Sequence, residues 1–270
     1  MVERRTMKVF FLGEWPRRLY VALHEPVRPA RVGLVFCPPL WVEMERTYKH
    51  FARWAKKLAD DGVAVLRYQP YGSGDSDGSM SNFSCDSAQA DALAAARCLR
   101  ERTGVKTLGI VGLRFGGSIA VHSASVIQPD FLVLWSPIAN LRQYCRELLR
   151  MRLQKEVIHQ QCDEVKVTTS DMVKELEAGS CVDLMGYDLS PELYRQMNAH
   201  PSWPESPPAG RVLWLDLPHG RRNADPIVKT WRERGCRVET EYSREAAFWD
   251  DSFTAPVRFE ALSSKWLEGQ

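Results

Sequence analysis

Short apolar runs alternate with helical patterns along most of the chain. The apolar runs, which contain few polar positions, cover residues 31–37, 63–68, 107–111 and 131–135. Helical spacing of apolar positions follows the first three of them, in residues 47–58, 86–102 and 118–127. Strands buried on both faces read as continuous apolar runs, and two parallel strands need a crossover between them. The pattern therefore predicts an α/β fold with a mostly parallel central sheet and helices on both faces.

The N-terminal segment and the middle of the chain depart from this alternation. Lys8–Gly13 and Leu19–His24 predict an antiparallel hairpin at one edge of the sheet. Between residues 136 and 210 the patterns are helical, at Leu141–Val157 and Ser170–Glu177, with no convincing strand before the Pro-rich stretch 201–208. These residues predict a helical insertion between two strands of the sheet.

After residue 210 the alternation resumes, with predicted strands at 211–217 and 237–242 and predicted helices at 226–234 and 256–267. We therefore expect one α/β core in two parts with a cap between them. The three predicted segments are 1–138 for the N-terminal part of the core, 139–209 for the helical cap and 210–270 for the C-terminal part of the core.

Composition and charge argue against nucleic-acid-binding, membrane-spanning and disulfide-rich proteins. Lys and Arg total 36 against 34 Asp and Glu, and a net charge of +2 gives no field that would attract nucleic acid or an anionic membrane. No apolar run approaches the length of a membrane span, and the charged start of the chain is unlike a signal peptide. The seven cysteines form no CxxC pair, which favours reduced thiols. We expect a cytoplasmic protein without a cofactor or a metal.

The strand predicted at 107–111 runs into Gly112-Leu113-Arg114-Phe115-Gly116 and then into a helix. This turn resembles the nucleophile elbow G-x-S-x-G of α/β hydrolases, in which small residues allow a strained turn to lift the central side chain above the sheet. The resemblance implies the α/β-hydrolase fold. Arg114 stands where that family has its nucleophile, and an arginine stays protonated and has no usable lone pair.

The same resemblance places a catalytic histidine after the last strand, because the triad runs in the order nucleophile, acid, histidine. All six histidines precede residue 226, and the expected loop reads Glu245-Ala246-Ala247-Phe248-Trp249-Asp250. Asp216 and Asp225 match the acid position, but they have no histidine to orient. The chain is therefore expected to lack the Ser-His-Asp triad, which leaves open whether it is an enzyme.

Six stretches carry a more specific resemblance: Pro38–Met44, Tyr71–Ser76, Gly112–Gly116, Leu132–Pro137, Gly186–Pro191 and Phe248-Trp249. They are similar to the hydrolases encoded with exosortase A systems, relatives of the serine aminopeptidase S33 group. The similarity extends over about residues 30–267 and includes the arginine at the elbow. It implies a role in an exosortase or exopolysaccharide pathway.

Three roles are open for Arg114. A guanidinium above a helix N-terminus favours an anion, so it could bind a carboxylate, a phosphate or an acyl-type ligand. It could instead pair with Glu43 or Glu45 from the loop that faces the elbow and close a disused site, because a lone buried charge is costly. The third role is non-triad catalysis, with Glu43 as base and Arg114 as electrophile.

We therefore expect an α/β-hydrolase-fold protein that binds a small acidic or acyl ligand or acts as a non-catalytic accessory protein. The alternative is an enzyme of hydrolase ancestry that acts on ester, acyl or peptide substrates, or by lyase-type chemistry, with Glu43 and Arg114. Neither a nucleic acid nor a membrane span is expected, and a homodimer is one option for the oligomeric state. The residues expected to bind the ligand are Leu40, Trp41, Phe115, Ser136, Asp216, His219 and Phe248.

Overall fold

The computed structural model describes residues 6–159, 167–200, 203–250 and 254–269. Its strands, numbered in chain order, are β1 (Thr6–Leu12), β2 (Leu19–Glu25), β3 (Val32–Cys37), β4 (Val63–Tyr68), β5 (Thr107–Leu113), β6 (Phe131–Trp135), β7 (Val182–Asp183), β8 (Asp188–Leu189), β9 (Arg211–Asp216) and β10 (Arg237–Tyr242). Its α-helices are α1 (Trp41–Asp60), α2 (Cys85–Thr103), α3 (Phe115–Ile127), α4 (Leu141–His159), α5 (Thr169–Glu177), α6 (Pro191–Ala199), α7 (Arg221–Glu233) and α8 (Val257–Leu267). Short 3₁₀ helices span Met80–Asn82 and Pro218–Gly220.

Eight of the strands form one sheet in the order β1-β2-β4-β3-β5-β6-β9-β10. All neighbours from β4 to β10 are parallel, whereas β1 pairs antiparallel with β2 and β2 pairs antiparallel with β4. The mostly parallel sheet predicted from the apolar runs is confirmed, as is the hairpin at its edge. Because β4, β3, β5, β6, β9 and β10 are parallel, their carboxyl ends lie at the same edge of the sheet, where ligands bind in open α/β sheets.

Helices cover both faces of the sheet, so the strands are buried on both sides. Successive residues of β5 show this: Leu108 and Ile110 belong to one hydrophobic cluster, and Val111 and Leu113 belong to the other. The first cluster contains apolar residues of α2 and α3, and the second contains residues of α1 and α8. This arrangement explains the continuous apolar runs, because each side chain of such a strand has a buried neighbour.

The segment between β6 and β9 holds α4, α5 and α6, where the cap was predicted. Apolar side chains of all three helices, such as Leu148, Met172 and Leu193, are buried in the same cluster as α2 and α3. The sequence pattern missed the antiparallel pair β7-β8, because two-residue strands are too short to show alternation. It also missed α6, although Ser190 caps that helix by accepting the Leu193 N–H over 3.1 Å. The division of the chain into three segments stays a prediction.

Within the described ranges, no helix is both long and apolar enough to cross a membrane. The six cysteines in that part of the chain are free, and Cys162 lies outside the described residues, as do residues 201–202 of the Pro-rich stretch. Among the same residues, no group of three His, Cys, Asp or Glu side chains could hold a metal ion.

Candidate functional site

The turn between β5 and α3 places Arg114 in a strained backbone conformation, with φ 52° and ψ −119°. Non-glycine residues rarely adopt a positive φ, and such strain persists only where the surroundings impose it. Here the Arg114 N–H donates to the Trp135 carbonyl over 3.0 Å, while the Arg114 carbonyl accepts from Gly117 N–H at 3.0 Å and from Ile138 N–H at 3.2 Å. These backbone bonds tie the turn to the end of β6.

The glycines around this turn allow a close approach between backbone segments. A Cβ at Gly116 would lie 2.1 Å from the Cys37 carbonyl oxygen, and a Cβ at Gly112 would lie 2.6 Å from the Cα of Gly117. Any side chain at either position would push the turn away from β3 or from the start of α3. Glycine is therefore needed at both positions because a Cβ would clash there, as expected for a tight strand-to-helix turn.

The guanidinium of Arg114 is neutralised from within the chain. Its Nε donates to Oε1 of Glu43 over 3.1 Å, and the hydroxyl of Tyr144 donates to the second carboxylate oxygen of Glu43, also over 3.1 Å. The guanidinium carbon lies 5.5 Å from the ring centroid of Tyr144 and 5.1 Å from that of Trp249. From the sequence we expect Glu43 or Glu45 as the acidic partner of Arg114. The structure pairs Arg114 with Glu43, while Glu45 is exposed.

Burial and charge act in opposite directions on this pair. Burial raises the pKa of Glu43, while the positive charge of Arg114 and the hydrogen bonds from Arg114 and Tyr144 lower it, and burial prevails. For Arg114 burial lowers the pKa, but the charge of Glu43 and its neighbours outweighs burial and leaves the pKa raised. Arg114 is therefore a permanent cation, and Glu43 depends on it to hold a negative charge in a buried place.

Strained residues collect at the carboxyl ends of three neighbouring strands. Trp41 after β3 has φ 46°, Arg114 after β5 has φ 52° and Ser136 after β6 has φ 40°. A positive φ at a non-glycine residue costs on the order of 1–3 kcal/mol, and such residues cluster at binding and active sites. The strain therefore marks this edge of the sheet as the candidate site.

A cavity of about 540 Å³ opens beside Arg114. This volume suits a small-molecule ligand. Its walls come from the ends of β5, β6 and β9, from the first turns of α4 and from the start of α7. The lining residues are Arg114, Ser136, Pro137, Ile138, Ala139, Asn140, Gln143, Tyr144, Glu147, Trp214, Asp216, His219, Gly220, Arg222, Asn223 and Pro226.

The structure brings together only some of the residues expected to bind a ligand. Arg114, Ser136, Asp216 and His219 line this cavity. Trp41 instead lines a second cavity of about 350 Å³, where its ring stacks on Tyr187 at 5.9 Å.

The remaining expected residues lie in the core. Leu40, Phe115 and Phe248 are at most 4% exposed, and Phe248 packs edge-on against Trp135. Phe248 therefore lies in the hydrophobic core and not on the cavity wall, because the loop after β10 folds back onto α8. Glu43 is held behind the Arg114 guanidinium and does not line the cavity.

Ser136, Asp216 and His219 share the cavity but form no hydrogen-bonded relay. The Ser136 hydroxyl is buried without a hydrogen-bond partner in the described part of the chain. The Asp216 carboxylate accepts from the Leu217 N–H at 2.8 Å and from Trp214 Nε1 at 3.3 Å, and His219 is exposed. The other acid candidate, Asp225, is exposed and pairs with Arg221 and Tyr242.

Sequence reasoning missed the contribution of α4 and of Asn140 before it. Tyr144 binds Glu43, and Asn140, Gln143 and Glu147 line the cavity. Residues 140, 143, 144 and 147 have helical i, i+3, i+4 and i+7 spacing, which places them on one face of α4. That spacing was the available signal, but it does not reveal which part of the core the helix face meets.

The sheet order, the strained turn and the cavity at the carboxyl ends of the strands define a protein of the α/β-hydrolase fold. More specifically, the chain belongs to the acyl transferase family, whose family model matches residues 41–200. No curated protein matches the chain.

Solved structures agree on the fold. Est1E from Butyrivibrio proteoclasticus with bound ferulic acid is 17% identical, with 96% of this chain and 98% of that chain covered and a TM-score of 0.68. XC6422 from Xanthomonas campestris, an α/β serine hydrolase without a lid, is 17% identical. The match covers 96% of this chain and 94% of that chain, with a TM-score of 0.56. Proline iminopeptidase from Mycobacterium smegmatis is 14% identical. The match covers 97% of this chain and 98% of that chain, with a TM-score of 0.59. At these identities the likeness concerns the fold alone.

Proposed function

We propose that this protein binds an acyl-bearing small molecule in the cavity beside Arg114 and holds it without a covalent serine intermediate. The observation that supports this most is the state of the Arg114 guanidinium. It lines the cavity, yet its one hydrogen bond to a described residue is the bond from Nε to Glu43. An arginine has five N–H donors, so the four on its Nη atoms have no acceptor among the described residues and can serve a ligand oxygen.

The charges around the cavity favour a neutral carbonyl over a free anion. Glu43 already compensates Arg114, and the wall carries Glu147 and Asp216 against the single further cation Arg222. An incoming carboxylate would meet more negative than positive charge. An ester or amide carbonyl oxygen accepts hydrogen bonds from Arg114 without adding a negative charge. Of the two ligand classes expected from the sequence, the acyl class is therefore the better supported.

The residues of the site argue against catalysis by a triad. Arg114 cannot act as a nucleophile, and no hydrogen bond links Ser136, His219 and Asp216 in the described structure. Non-triad catalysis with Glu43 as base is also less well supported, because both carboxylate oxygens are engaged by Arg114 and Tyr144. A base must reach the proton that it removes.

Membership of the acyl transferase family fits an acyl ligand, and the ferulic acid complex of Est1E is an example of this fold holding a small organic molecule. The exosortase pathway, the cytoplasmic location, the accessory role and the homodimer stay predictions from the sequence.

Isothermal titration with octanamide tests the proposal. We expect binding to the wild-type protein, and at least about tenfold weaker binding to the double variant Arg114→Met/Glu43→Leu, which removes the ion pair without leaving a lone charge. Arg97→Met, which removes an exposed arginine on α2, is the matched control and should bind as the wild type does. Equal affinity in the double variant would contradict the role of Arg114. Much tighter binding of octanoate than of octanamide would favour the acidic class.

A fluorophosphonate probe tests the absence of a serine nucleophile. We expect the intact mass of the protein to be unchanged after incubation. A stoichiometric adduct would identify a reactive serine, and Ser136 is the serine that lines the cavity. Such an adduct would overturn the non-covalent part of the proposal.

A further inference from the structure

A second buried arginine lies on β4, and it lacks the kind of partner that Arg114 has. Arg67 is 8% exposed, and no carboxylate lies within 4.0 Å of its guanidinium in the described part of the chain. Its Nε donates to Nε2 of His24 over 3.3 Å, and the guanidinium lies 5.0 Å from the ring centroid of Tyr48. Arg17 and Arg114, in contrast, each have a buried carboxylate partner.

The partners of Arg67 leave its charge uncompensated. Burial, and then the neighbouring charge of Arg67, lowers the pKa of His24 to about 4, so that the imidazole is neutral at neutral pH and accepts the hydrogen bond. Tyr48 contributes the face of its ring and no carboxylate. Buried cations in proteins are ordinarily paired with an anion, because a lone buried charge is strongly unfavourable.

A small cavity of about 30 Å³ lies against Arg67. A single water molecule needs roughly 10–15 Å³ by this measure, so there is room for the two oxygens of a carboxylate. The other walls are mainly apolar or aromatic and include Phe36, Pro39 and Phe51.

This cavity adjoins the larger one beside Trp41. The two share three lining residues, Met44, Tyr48 and Gln69. The larger cavity, of about 350 Å³, is walled by Trp41 and Tyr187, whose rings stack at 5.9 Å and 19°. Thioether and aromatic side chains of this kind bind apolar groups of varied shape. Together the two cavities offer a cation at the inner end and, at the outer end, a wall in which Trp41, Met44 and Tyr187 are apolar or aromatic. The outer wall also carries the exposed carboxylate of Glu45, so the apolar tail and not the acid group of a ligand fits there.

We propose that Arg67 binds the carboxylate of a hydrophobic monocarboxylic acid, whose apolar tail lies against Met44, Trp41 and Tyr187. The ligand supplies the negative charge that the chain does not. This site shares no lining residue with the cavity beside Arg114, so it stands or falls independently of the function proposed above.

Titration of the protein with 3-phenylpropanoate, followed by calorimetry and by the NMR signals of His24, tests the proposal. We expect saturable binding, a shift of the His24 imidazole signals and at least about tenfold weaker binding of the neutral 3-phenylpropanamide. Arg67→Met should weaken acid binding by at least about tenfold, and Arg67→Lys should recover part of it. Tyr187→Leu should weaken binding less, because it alters only the contact with the tail.

Two controls separate this site from the other. Arg97→Met removes an exposed arginine, and Arg114→Met/Glu43→Leu removes the ion pair at the elbow; both should bind the acid as the wild type does.

Removal of an uncompensated buried charge should leave Arg67→Met folded, with a melting temperature no lower than that of the wild type without ligand. The proposal is wrong if the wild type does not bind the acid at millimolar concentrations, if Arg67→Met binds it equally well, or if chloride alone shifts His24 as strongly.

Discussion

Arg114 and Glu43 form an ion pair of 3.1 Å that joins the strained turn after β5 to the first turn of α1. The side chains are 19% and 10% exposed, so the pair is largely shielded from water. A buried pair adds little net stability compared with apolar residues of similar volume, but breaking it leaves one charge alone. The predictions about Glu43 and Arg114 below follow from this asymmetry.

Glu43→Gln should destabilise the fold by about 3 kcal/mol, near the lower end of the range for breaking a buried pair because Arg114 keeps some exposure. The amide of Gln can still accept a hydrogen bond but cannot neutralise the guanidinium. Urea unfolding measures the loss. The double variant Arg114→Met/Glu43→Leu should be close to the wild type or more stable, and a double variant that loses as much as both single variants together would show that the two residues do not act as a pair.

Arg114→Met should make stability depend on pH through Glu43. Burial already raises the pKa of Glu43 above its ordinary value of 4.5, and loss of the positive charge should raise this pKa further. A carboxyl with a raised folded-state pKa favours the folded state fully below about pH 4.5, and this stabilisation is lost as the pH rises through the folded-state pKa. The free energy of unfolding of Arg114→Met should therefore fall with rising pH relative to the wild type. If the difference in unfolding free energy between the variant and the wild type stays constant from pH 4 to 8, this prediction is wrong.

The sheet, the edge hairpin and the strand-to-helix turn could be predicted from the sequence. Apolar runs and glycines reflect the burial and the backbone conformation of their own segment, so they can be interpreted without knowing the tertiary structure. It placed the start of α1 near Thr47, whereas the helix begins at Trp41. Leu40, the N-cap, makes no side-chain capping bond, so no capping residue signalled the start. Phe248, expected at the ligand site, is buried against Trp135 instead, because the direction in which a loop folds back depends on tertiary packing that the local sequence does not reveal.

Phe248→Ala should destabilise the protein by about 3–5 kcal/mol, because the ring is fully buried and packs against Trp135, Trp249 and Phe259. Its affinity for octanamide should stay within about twofold of the wild type while the protein is folded. Thermal unfolding and calorimetry measure the two effects. Phe11→Ala, which removes an exposed ring, is the control; a Phe248 variant that loses affinity and keeps its stability would return Phe248 to the ligand site.

Gly116→Ala should destabilise the fold by at least about 1–3 kcal/mol, since the added Cβ would meet the Cys37 carbonyl oxygen at 2.1 Å and neither backbone can move freely. Gly210→Ala is the matched control, because a Cβ there meets nothing within 4 Å. Chemical denaturation of both variants gives the comparison. Equal stability of the two would mean that the turn does not pack as closely on β3 as the structure describes.

The central claim, that Arg114 holds an acyl carbonyl without covalent chemistry, is tested most directly by a crystal structure of the protein with octanamide. We expect the amide oxygen within about 3.2 Å of an Arg114 Nη atom, with the Glu43 ion pair intact and the ligand unbonded to any side chain. An empty cavity beside Arg114 in crystals that hold the ligand elsewhere, or an acyl group attached to Ser136, would contradict it.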